Sequence, residues 1–268
     1  MNISILVSTY GKSNPKLQYL KGSTDDKIDF VIIHQKPDMI SGNQLSKIYG
    51  SNYYTSNTIG LSKSRNLAIS KANSDICLIA DDDASFVEEL HSIVLNAFRE
   101  NPKADIITFK ICVPGRGYYK NYSTKKFWYK RKNIFKVSSI EIAFKSNSIK
   151  KCNLKFDEEF GLGSKYPLGE EAIFLNDALI NGLKVLYLPI GIVYHPIEST
   201  GKKYTIEKLR ARGAQIARIF GFGFILIDFL FFLKILRSSK YKGPLTVFKQ
   251  IYMGSIKYML KKIINFID

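Results

Sequence analysis

Cysteine is scarce in this sequence, and its three copies, Cys77, Cys112 and Cys152, are scattered along the chain. They form neither a CxxC pair nor an even framework, which argues against a disulfide scaffold and a structural zinc site and favours a reducing compartment. The opening residues 1–7 lack a charged segment and a cleavage site. We therefore expect a strand there rather than a signal peptide.

An apolar run of the length that crosses a bilayer, about 20 residues, is also lacking. The apolar stretch 219–233 has 15 residues and contains Asp228, whose carboxylate would cost about 2.5–3.5 kcal/mol at the bilayer centre. Full spanning is therefore disfavoured. This stretch and the basic helix predicted at 248–264 favour a tail that lies in the membrane interface. Packing on the body or an oligomer contact is the alternative.

Acidic residues are few in two zones of this chain of 268 residues, whose net charge is +17. Residues 115–155 contain 12 Lys/Arg and one acid, and residues 201–268 contain 14 Lys/Arg and three acids. Such zones suit polyanions, namely nucleic acid, anionic lipid headgroups or pyrophosphates, and a lysine-rich solvated surface is the alternative. Residues 115–135 are basic and aromatic without periodicity, so we expect a mobile loop or an irregular excursion.

Short apolar runs alternate with helical patterns in the first half of the chain. Unalternating runs of β-branched residues are typical of strands buried on both faces, and they occur at 2–8, 28–33, 75–80 and 104–109. Helical patterns at 62–71 and 86–99 complete an alternation that predicts an α/β fold with a largely parallel sheet. Ligands of such sheets bind beyond the carboxyl ends of the strands.

Three consecutive aspartates, Asp81, Asp82 and Asp83, follow the third apolar run. Adjacent carboxylates repel one another unless positive charge is present, and a divalent cation is the economical solution. Hard oxygen ligands at the end of a strand suit Mg²⁺ or Mn²⁺, which keep several waters and bridge to a diphosphate. The alternative is an N-cap cluster on a helix that begins near Ser85 and Phe86, which explains one or two of the aspartates.

Several segments in this order resemble family 2 glycosyltransferases with the GT-A fold, of the bacterial surface-polysaccharide type. They are Ile3–Tyr10, Gly60–Asn66, Ser74–Asp83 and Gly169–Phe174, followed by Gly182 and Leu186–Pro189. The resemblance extends over residues 1–195. It implies a Rossmann-like mixed α/β sheet with flanking helices that binds a nucleotide-diphosphate sugar.

The resemblance also implies roles for single residues. Asp81 would lie near the ribose or donor sugar and on the metal, Asp83 would bind the metal, and Asp82 would share the donor contacts. Arg65 would approach the base or the pyrophosphate, and a helix-surface ion pair is the alternative. The nucleoside pocket would be lined by Ser8, Thr9 and Tyr10.

The second strand departs from the family pattern. Family members commonly end this strand in an acidic residue that contacts the base, whereas here Ile33 is followed by His34 and Gln35. We expect His34 or Gln35 to read the base edge instead, because an amide can hydrogen-bond a pyrimidine. An ordinary structural role is the alternative for His34.

Glu170 and Glu171 open a helix predicted over 171–181, which is followed by a strand predicted to close at Pro189. A displacement at the anomeric carbon needs a base for the acceptor hydroxyl, and a carboxylate within hydrogen-bond reach serves. By the resemblance Glu171 is this base, where the family usually has Asp, and Glu170 is a positioning residue. Stabilisation of the first helical turn is the alternative for both.

Two further residues of the expected donor site follow a strand predicted at 191–194. In related enzymes a histidine at this place completes the metal site, which implies that role for His195. A structural histidine is the alternative. Lys202 would close over the diphosphate on a Ser-Thr-Gly hinge.

We therefore predict a GT-A glycosyltransferase domain over 1–203 and a helical, membrane-associating tail over 204–268. The expected reaction is an inverting transfer, dependent on Mn²⁺ or Mg²⁺, of a hexose from a nucleotide-diphosphate donor, foremost a UDP-sugar. The expected acceptor is a hydroxyl of a lipid-pyrophosphate-linked saccharide in the synthesis of a bacterial capsule, O-antigen or similar polysaccharide. The expected location is peripheral or monotopic, on the anionic cytoplasmic face of the plasma membrane, and no nucleic acid is expected as partner.

Two other classes of protein compete with this interpretation. A nucleotidyltransferase also uses carboxylates and Mg²⁺, but it usually carries a glycine-rich phosphate loop after the first strand, for which Gly11 alone is a poor substitute. A non-enzymatic nucleic-acid binder would use the basic and aromatic residues 115–135 for stacking and phosphate contacts. That reading leaves the aspartate triplet and the glutamate pair unexplained.

Overall fold

The computed structural model describes residues 1–11, 27–195, 205–236 and 243–267. Lys202 and the boundary predicted between residues 203 and 204 lie outside these residues, so both stay predictions. The described chain is built around one mixed sheet with helices on its two faces.

The sheet contains ten strands within the described residues. They are β1 (Ile3–Tyr10), β2 (Ile28–Gln35), β3 (Tyr53–Ser56), β4 (Ile76–Asp81), β5 (Ser85–Phe86), β6 (Ile106–Val113), β7 (Gly117–Tyr118), β8 (Phe127–Trp128), β9 (Ile142–Lys145) and β10 (Val185–Tyr194). Their order is β3-β2-β1-β4-β9-β6-β10-β5, with β7 beside β6 and β8 beside β10. Strands β3, β2, β1 and β4 are parallel, and β9 is antiparallel to both its neighbours. The four predicted strands and the mixed α/β sheet are confirmed.

The helices are α1 (Met39–Tyr49), α2 (Leu61–Lys71), α3 (Leu90–Glu100), α4 (Ser146–Lys151), α5 (Glu170–Ile180), α6 (Ile206–Phe220), α7 (Phe224–Leu236) and α8 (Pro244–Ile267). Alternate residues of β1 serve opposite faces of the sheet, because side chains alternate along a strand. Leu6 joins a core cluster with residues of α2, α5 and α6, whereas Ile5 and Val7 join a second cluster with residues of α3.

Two details differ from the sequence prediction. The helix predicted from Phe86 begins at Leu90, because Ser85 and Phe86 form β5 and pair with the end of β10. The aspartate triplet therefore lies between two strands, and the N-cap interpretation is wrong. The strand predicted to close at Pro189 continues to Tyr194. Its register against β6 shifts after Tyr187, which accommodates Pro189, a residue without a backbone N–H.

Residues 115–135 form the irregular excursion that the sequence predicts, with the short strands β7 and β8 and the start of a 3-10 helix at Ile134. Buried contacts hold the excursion against the sheet. The Lys120 ammonium lies 2.5 Å from a carboxylate oxygen of Glu141, and the Tyr122 hydroxyl donates to the same oxygen at 2.8 Å. Tyr122 also accepts a hydrogen bond from the Ile111 N–H of β6 at 3.0 Å. One acid thus anchors part of the first basic zone.

Helix α6 packs on the sheet as part of its core. Leu209, Ile216 and Ile219 belong to the same buried cluster as Leu6 of β1. The Arg218 guanidinium adds ion pairs to Asp157 and Asp177, both at 2.8 Å. The amino-terminal part of the predicted tail is therefore continuous with the body.

Helices α6 and α8 cross at two glycines. A Cβ atom on Gly213 would lie 1.9 Å from the carbonyl oxygen of Ile251, and one on Gly254 would lie 2.1 Å from that of Arg210. These distances leave no room for a side chain, so glycine is required at both positions. Ser255 reinforces the crossing, because its hydroxyl donates to the Gly213 carbonyl at 2.9 Å.

Helices α7 and α8 expose much apolar surface. Within the described residues, the helical stretch Ile206–Lys234 is long and apolar enough to cross a membrane, and 28% of its most apolar window is buried. Asp228 lies on the inner face of α7 and is 0% exposed, whereas the outer face is apolar. Burial raises the pKa of Asp228 to about 6, while the nearby Ser255 hydroxyl lowers it. The outer face carries Phe222, Ile225, Leu226, Phe229 and Leu230.

Candidate active site

The carboxyl ends of β1, β2 and β4 meet at one edge of the sheet, as the parallel arrangement requires. In the sheet register, Ser8 lies opposite Asp81 and Thr9 opposite His34. The Thr9 hydroxyl donates to a carboxylate oxygen of Asp82 at 2.6 Å. The sequence-predicted residues at these strand ends are therefore neighbours in the structure.

Arg65 joins the aspartate triplet to the glutamate pair. It projects from α2, is 2% exposed, and donates to Glu170 Oε1 at 3.1 Å and to Asp81 Oδ1 at 3.3 Å. Its guanidinium also lies 5.5 Å from the centroid of the Phe156 ring. Burial works against the charged form, but Asp81 and Glu170 outweigh it and raise the pKa of Arg65. The ion pairs are internal, unlike the helix-surface pair considered as the alternative.

Glu170 and Glu171 occupy the first turn of α5, as predicted. Gly169 precedes them with φ 104°, a left-handed conformation that favours glycine. Glu170 is 4% exposed and is held by Arg65, while Glu171 is half-buried. Burial and the neighbouring Glu170 carboxylate raise the pKa of Glu171 to about 8. One carboxylate is thus fixed by an ion pair, and the other holds its proton to unusually high pH.

Asp83 and His195 form a second polar pair at the same edge. His195 Nε2 lies 3.3 Å from Asp83 Oδ1, and both side chains are partly exposed. The His195 ring also meets the ring of Tyr119 edge-on, with 6.0 Å between centroids. Within the described residues no group of three or more His, Cys, Asp or Glu is arranged to hold a metal ion. The pair brings together two of the three residues that the sequence analysis assigned to a metal, and the third, Asp81, accepts a hydrogen bond from Arg65.

His34 and Gln35 are both buried and bonded to the protein. The ring nitrogens of His34 lie 2.8 Å from the Tyr53 hydroxyl and 2.8 Å from the Gly11 carbonyl oxygen. The Gln35 amide nitrogen donates to Thr58 Oγ1 at 3.0 Å and to the Gly60 carbonyl at 3.2 Å. These bonds fix the loop ends beside the site, and a contact of either residue with a base stays a prediction.

Two polar atoms of the site are buried without a hydrogen-bond partner in the described part of the chain. They are Ser8 Oγ and Arg65 Nε. Buried polar groups in native proteins are normally bonded to protein, water or a ligand. Tyr10, the next predicted donor-binding residue, is 60% exposed at the mouth of the site. The edge therefore offers both an open entrance and donors available to a polar ligand.

Sequence reasoning missed Gln215 and Gly161, which support the glutamate pair. The Gln215 amide on α6 donates to the Gly169 carbonyl at 3.0 Å, and a Cβ on Gly169 would lie 2.8 Å from Gln215 Cδ. A Cβ on Gly161 would lie 3.2 Å from Glu170 Cδ. No periodicity marks these residues. The glycine repeat of Gly161 and Gly163 is the one local signal that a close approach was needed.

A comparison with protein families gives one match, in which residues 44–155 fit the family described as Glycosyl transferase family 2. This segment includes Arg65 and the aspartate triplet but ends before Glu170. The match supports, over these residues, the resemblance inferred from the sequence. No curated protein sequence matches the chain significantly.

Solved structures with a similar fold include those of TarS from S. aureus. The full TarS structure aligns with TM-score 0.61 at 18% identity, covering 82% of this chain and 40% of that one. TarS 1–349 in complex with UDP-GlcNAc aligns with TM-score 0.60 at 19% identity, covering 82% of this chain and 68% of that one. The chain thus spans well under half of full TarS. At this level of identity the likeness establishes the fold, and it confirms the GT-A arrangement.

Proposed function

We propose that this protein is a glycosyltransferase that moves a sugar from a nucleotide-diphosphate donor to a hydroxyl of a saccharide acceptor. The observation that carries the proposal is the Arg65 bridge, which holds Asp81 and Glu170 in one site. The aspartates are suited to the donor and its counter-ion, and the glutamates to the proton of the acceptor. A site with both parts can promote a displacement at the anomeric carbon.

A UDP-sugar is the proposed donor. The similar fold of TarS 1–349 was crystallised with UDP-GlcNAc and with UDP. In this chain the nucleoside would lie over the ends of β1 and β2, where Ser8 Oγ is buried without a partner in the described residues. Thr9 and Asp82, bonded to each other at 2.6 Å, would meet the ribose side of the donor.

A Mg²⁺ or Mn²⁺ ion fits the pair of Asp83 and His195. The Asp83 carboxylate and the His195 ring nitrogen, 3.3 Å apart and partly exposed, are donor groups that such an ion accepts. Mg²⁺ commonly takes one or two protein ligands and fills its other positions with water and phosphate oxygens. Asp83 and His195 would hold the ion, with Asp81 beside them. When bound, the ion would neutralise charge on the leaving diphosphate.

Glu171 is the proposed base. Its neighbour Glu170 is held by Arg65, which leaves Glu171 as the carboxylate of the pair that can exchange a proton. In the proposed step the acceptor oxygen bonds to the anomeric carbon as the bond from that carbon to the diphosphate oxygen breaks. The hydroxyl proton passes to the Glu171 carboxylate. A single displacement of this kind inverts the anomeric centre.

The proposed acceptor is a saccharide on a lipid pyrophosphate at the cytoplasmic face of a bacterial plasma membrane. The exposed apolar faces of α7 and α8 support this location, since soluble monomers rarely expose contiguous apolar patches of more than a few hundred Å². Phe229 and Leu230 exemplify the face on α7, and Leu260 and Ile264 the face on α8. Synthesis of a capsule, O-antigen or similar surface polysaccharide would use such an acceptor.

Calorimetric titration of UDP-GlcNAc with and without Mn²⁺ tests the donor and metal assignments together. We expect wild-type protein to bind the donor more tightly with Mn²⁺, and Asp83→Asn to lose about tenfold or more of the Mn²⁺-dependent affinity. Asp29→Asn, which changes an exposed aspartate of β2, is the matched control and should bind as wild type. Equal Mn²⁺-dependent affinity in Asp83→Asn would refute the metal assignment. Binding of no nucleotide sugar under any condition would refute the donor class.

A further inference from the structure

A basic cleft lies where the body meets α8, outside the residues assigned to the donor. Its volume is about 430 Å³, and it is lined by Glu159, Arg218, Tyr258, Lys261, Lys262 and Asn265. The lining residues of α8 follow the spacing of one helix face, 258, 261, 262 and 265. Lys165 reaches the cleft from the loop 157–166 and interacts with Lys261. Two separate segments therefore direct ammonium groups to one place.

The acidic side chains near the cleft already form ion pairs with basic residues. Arg218 is neutralised by Asp157 and Asp177 at 2.8 Å, and Lys261 contacts Glu159. Lys165, Lys257 and Lys262 have no ion pair within the described residues. Partial burial and the neighbouring ammonium of Lys261 lower the pKa of Lys165, and Lys257 adds to the effect while Glu159 opposes it. Ammonium groups thus converge beside the cleft, and its carboxylate, that of Glu159, is already engaged by Lys261.

The cleft borders the apolar surface of the tail. Met253, Lys257, Leu260 and Ile264 are all exposed and recur every three or four residues, so they form one row along α8. A lysine within such a row buries its stem along apolar surface and keeps its ammonium at the level of polar headgroups. The row and the cleft therefore present hydrocarbon contacts and phosphate contacts side by side.

The loop 157–166 connects this cleft to the glutamate pair. Glu159 lines the cleft, whereas Gly161 approaches Glu170 closely, at 3.2 Å for a Cβ built on the glycine. Two residues of chain span at most about 7 Å, so the cleft and the glutamate pair lie on two sides of one short loop. A membrane phosphate held in the cleft would place the bilayer surface beside the acceptor side of the site.

We propose that this cleft binds the phosphate group of an anionic membrane lipid, with Lys261 and Lys262 of its lining and the neighbouring Lys165 and Lys257 as its cationic contacts. The proposal rests on the membrane location proposed above and assigns the residues that recognise the surface. Charge complementarity selects an anionic headgroup, and the adjoining apolar row selects a phosphate that is anchored in a bilayer. No donor, metal ion or transfer step is needed for this binding.

Vesicle binding by the full-length protein tests the cleft. The variant Lys165→Gln/Lys257→Gln/Lys262→Gln is compared with Lys125→Gln/Lys126→Gln/Lys130→Gln, a matched loss of three exposed lysines in the first basic zone. Because lysines near an anionic surface each add to the affinity for it, we expect the cleft variant to lose about tenfold or more of its affinity for vesicles of phosphatidylcholine with phosphatidylglycerol. The control variant should lose less than about threefold.

Vesicles of phosphatidylcholine alone separate charge from apolar contact, and both variants should bind them as wild type does. Equal losses for the two variants on anionic vesicles would overturn the cleft in favour of a diffuse charge effect. Stabilisation of wild type by inorganic phosphate, lost in the cleft variant without any change in vesicle binding, would overturn the lipid assignment in favour of a free ion. Asp83→Asn should bind vesicles normally, so failure of the donor site and failure of the cleft give different results.

Discussion

The sheet body and the tail differ in how much apolar surface they expose and in whether their buried charged groups are paired. Within the described residues, nine large hydrophobic side chains are exposed over 1–195, and thirteen are exposed over the much shorter span 205–267. The body pairs its buried Arg65 with two carboxylates, whereas Asp228 of the tail is buried without an ion pair in the described residues. The body therefore exposes little apolar surface for its length, whereas the exposed apolar faces of α7 and α8 are suited to contact with another surface.

The largest expected effect concerns the body, where chemistry depends on one carboxylate. Glu171→Gln should lower the transfer rate by about 10²–10⁴, the usual contribution of a general base, while donor affinity stays unchanged. Glu100→Gln, at an exposed position on α3, is the matched control. Retention of full transferase activity by Glu171→Gln would place the base elsewhere.

The same carboxylate predicts the pH dependence of wild-type activity. A base with a pKa of about 8 is mostly protonated at neutral pH, so kcat/KM should rise with pH and level off above about 8. The rise of kcat/KM with pH should be absent from the residual activity of Glu171→Gln. A pH-independent wild-type profile between 6 and 9 would contradict the assignment.

An intermediate effect concerns the junction between α6 and α8. Gly213→Ala and Gly254→Ala each place a methyl group about 2 Å from a backbone carbonyl oxygen, and we expect losses of about 1–3 kcal/mol in the free energy of unfolding. Gly223→Ala is the control, because its Cβ would meet its nearest neighbour at 3.7 Å. Thermal unfolding measures all three. Equal stability of the three variants would show that the two helices do not cross so closely.

The smallest effect concerns the buried acid of the tail. The folded-state pKa of Asp228, about 6, lies above its ordinary value of 3.8, so the protonated carboxyl is stabilising below about pH 4 and that stability is lost as pH rises through about 6. Asp228→Asn removes the titration and should raise the unfolding free energy at pH 8 by about 1 kcal/mol, with no gain at pH 4. Asp29→Asn, at an exposed site, should show no such pH-dependent gain. A gain that is equal at both pH values would contradict the buried titration.

Residue type and order were enough to predict the strands, the aspartate triplet and the glutamate pair. A strand buried on both faces has a local signature, and so does a cluster of like charges. The contact of Arg65 with Glu170 has no local signature in the sequence, because it arises only when α2 and α5 pack on the same face of the sheet. The same holds for Gln215, one amide within a basic helix, and for Asp228, whose inward orientation depends on where α8 lies.

The membership of α6 in the main core also bears on the order in which the protein folds. Leu209, Ile216 and Ile219 belong to the cluster that contains Leu6, and so do Phe224 of α7 and Ile251 of α8. During synthesis the sheet therefore lacks part of its apolar cover until these helices have left the ribosome, and partly covered cores are prone to aggregate. The core is completed only when the tail has been made, so the exposed apolar faces of α7 and α8 emerge before the fold is complete.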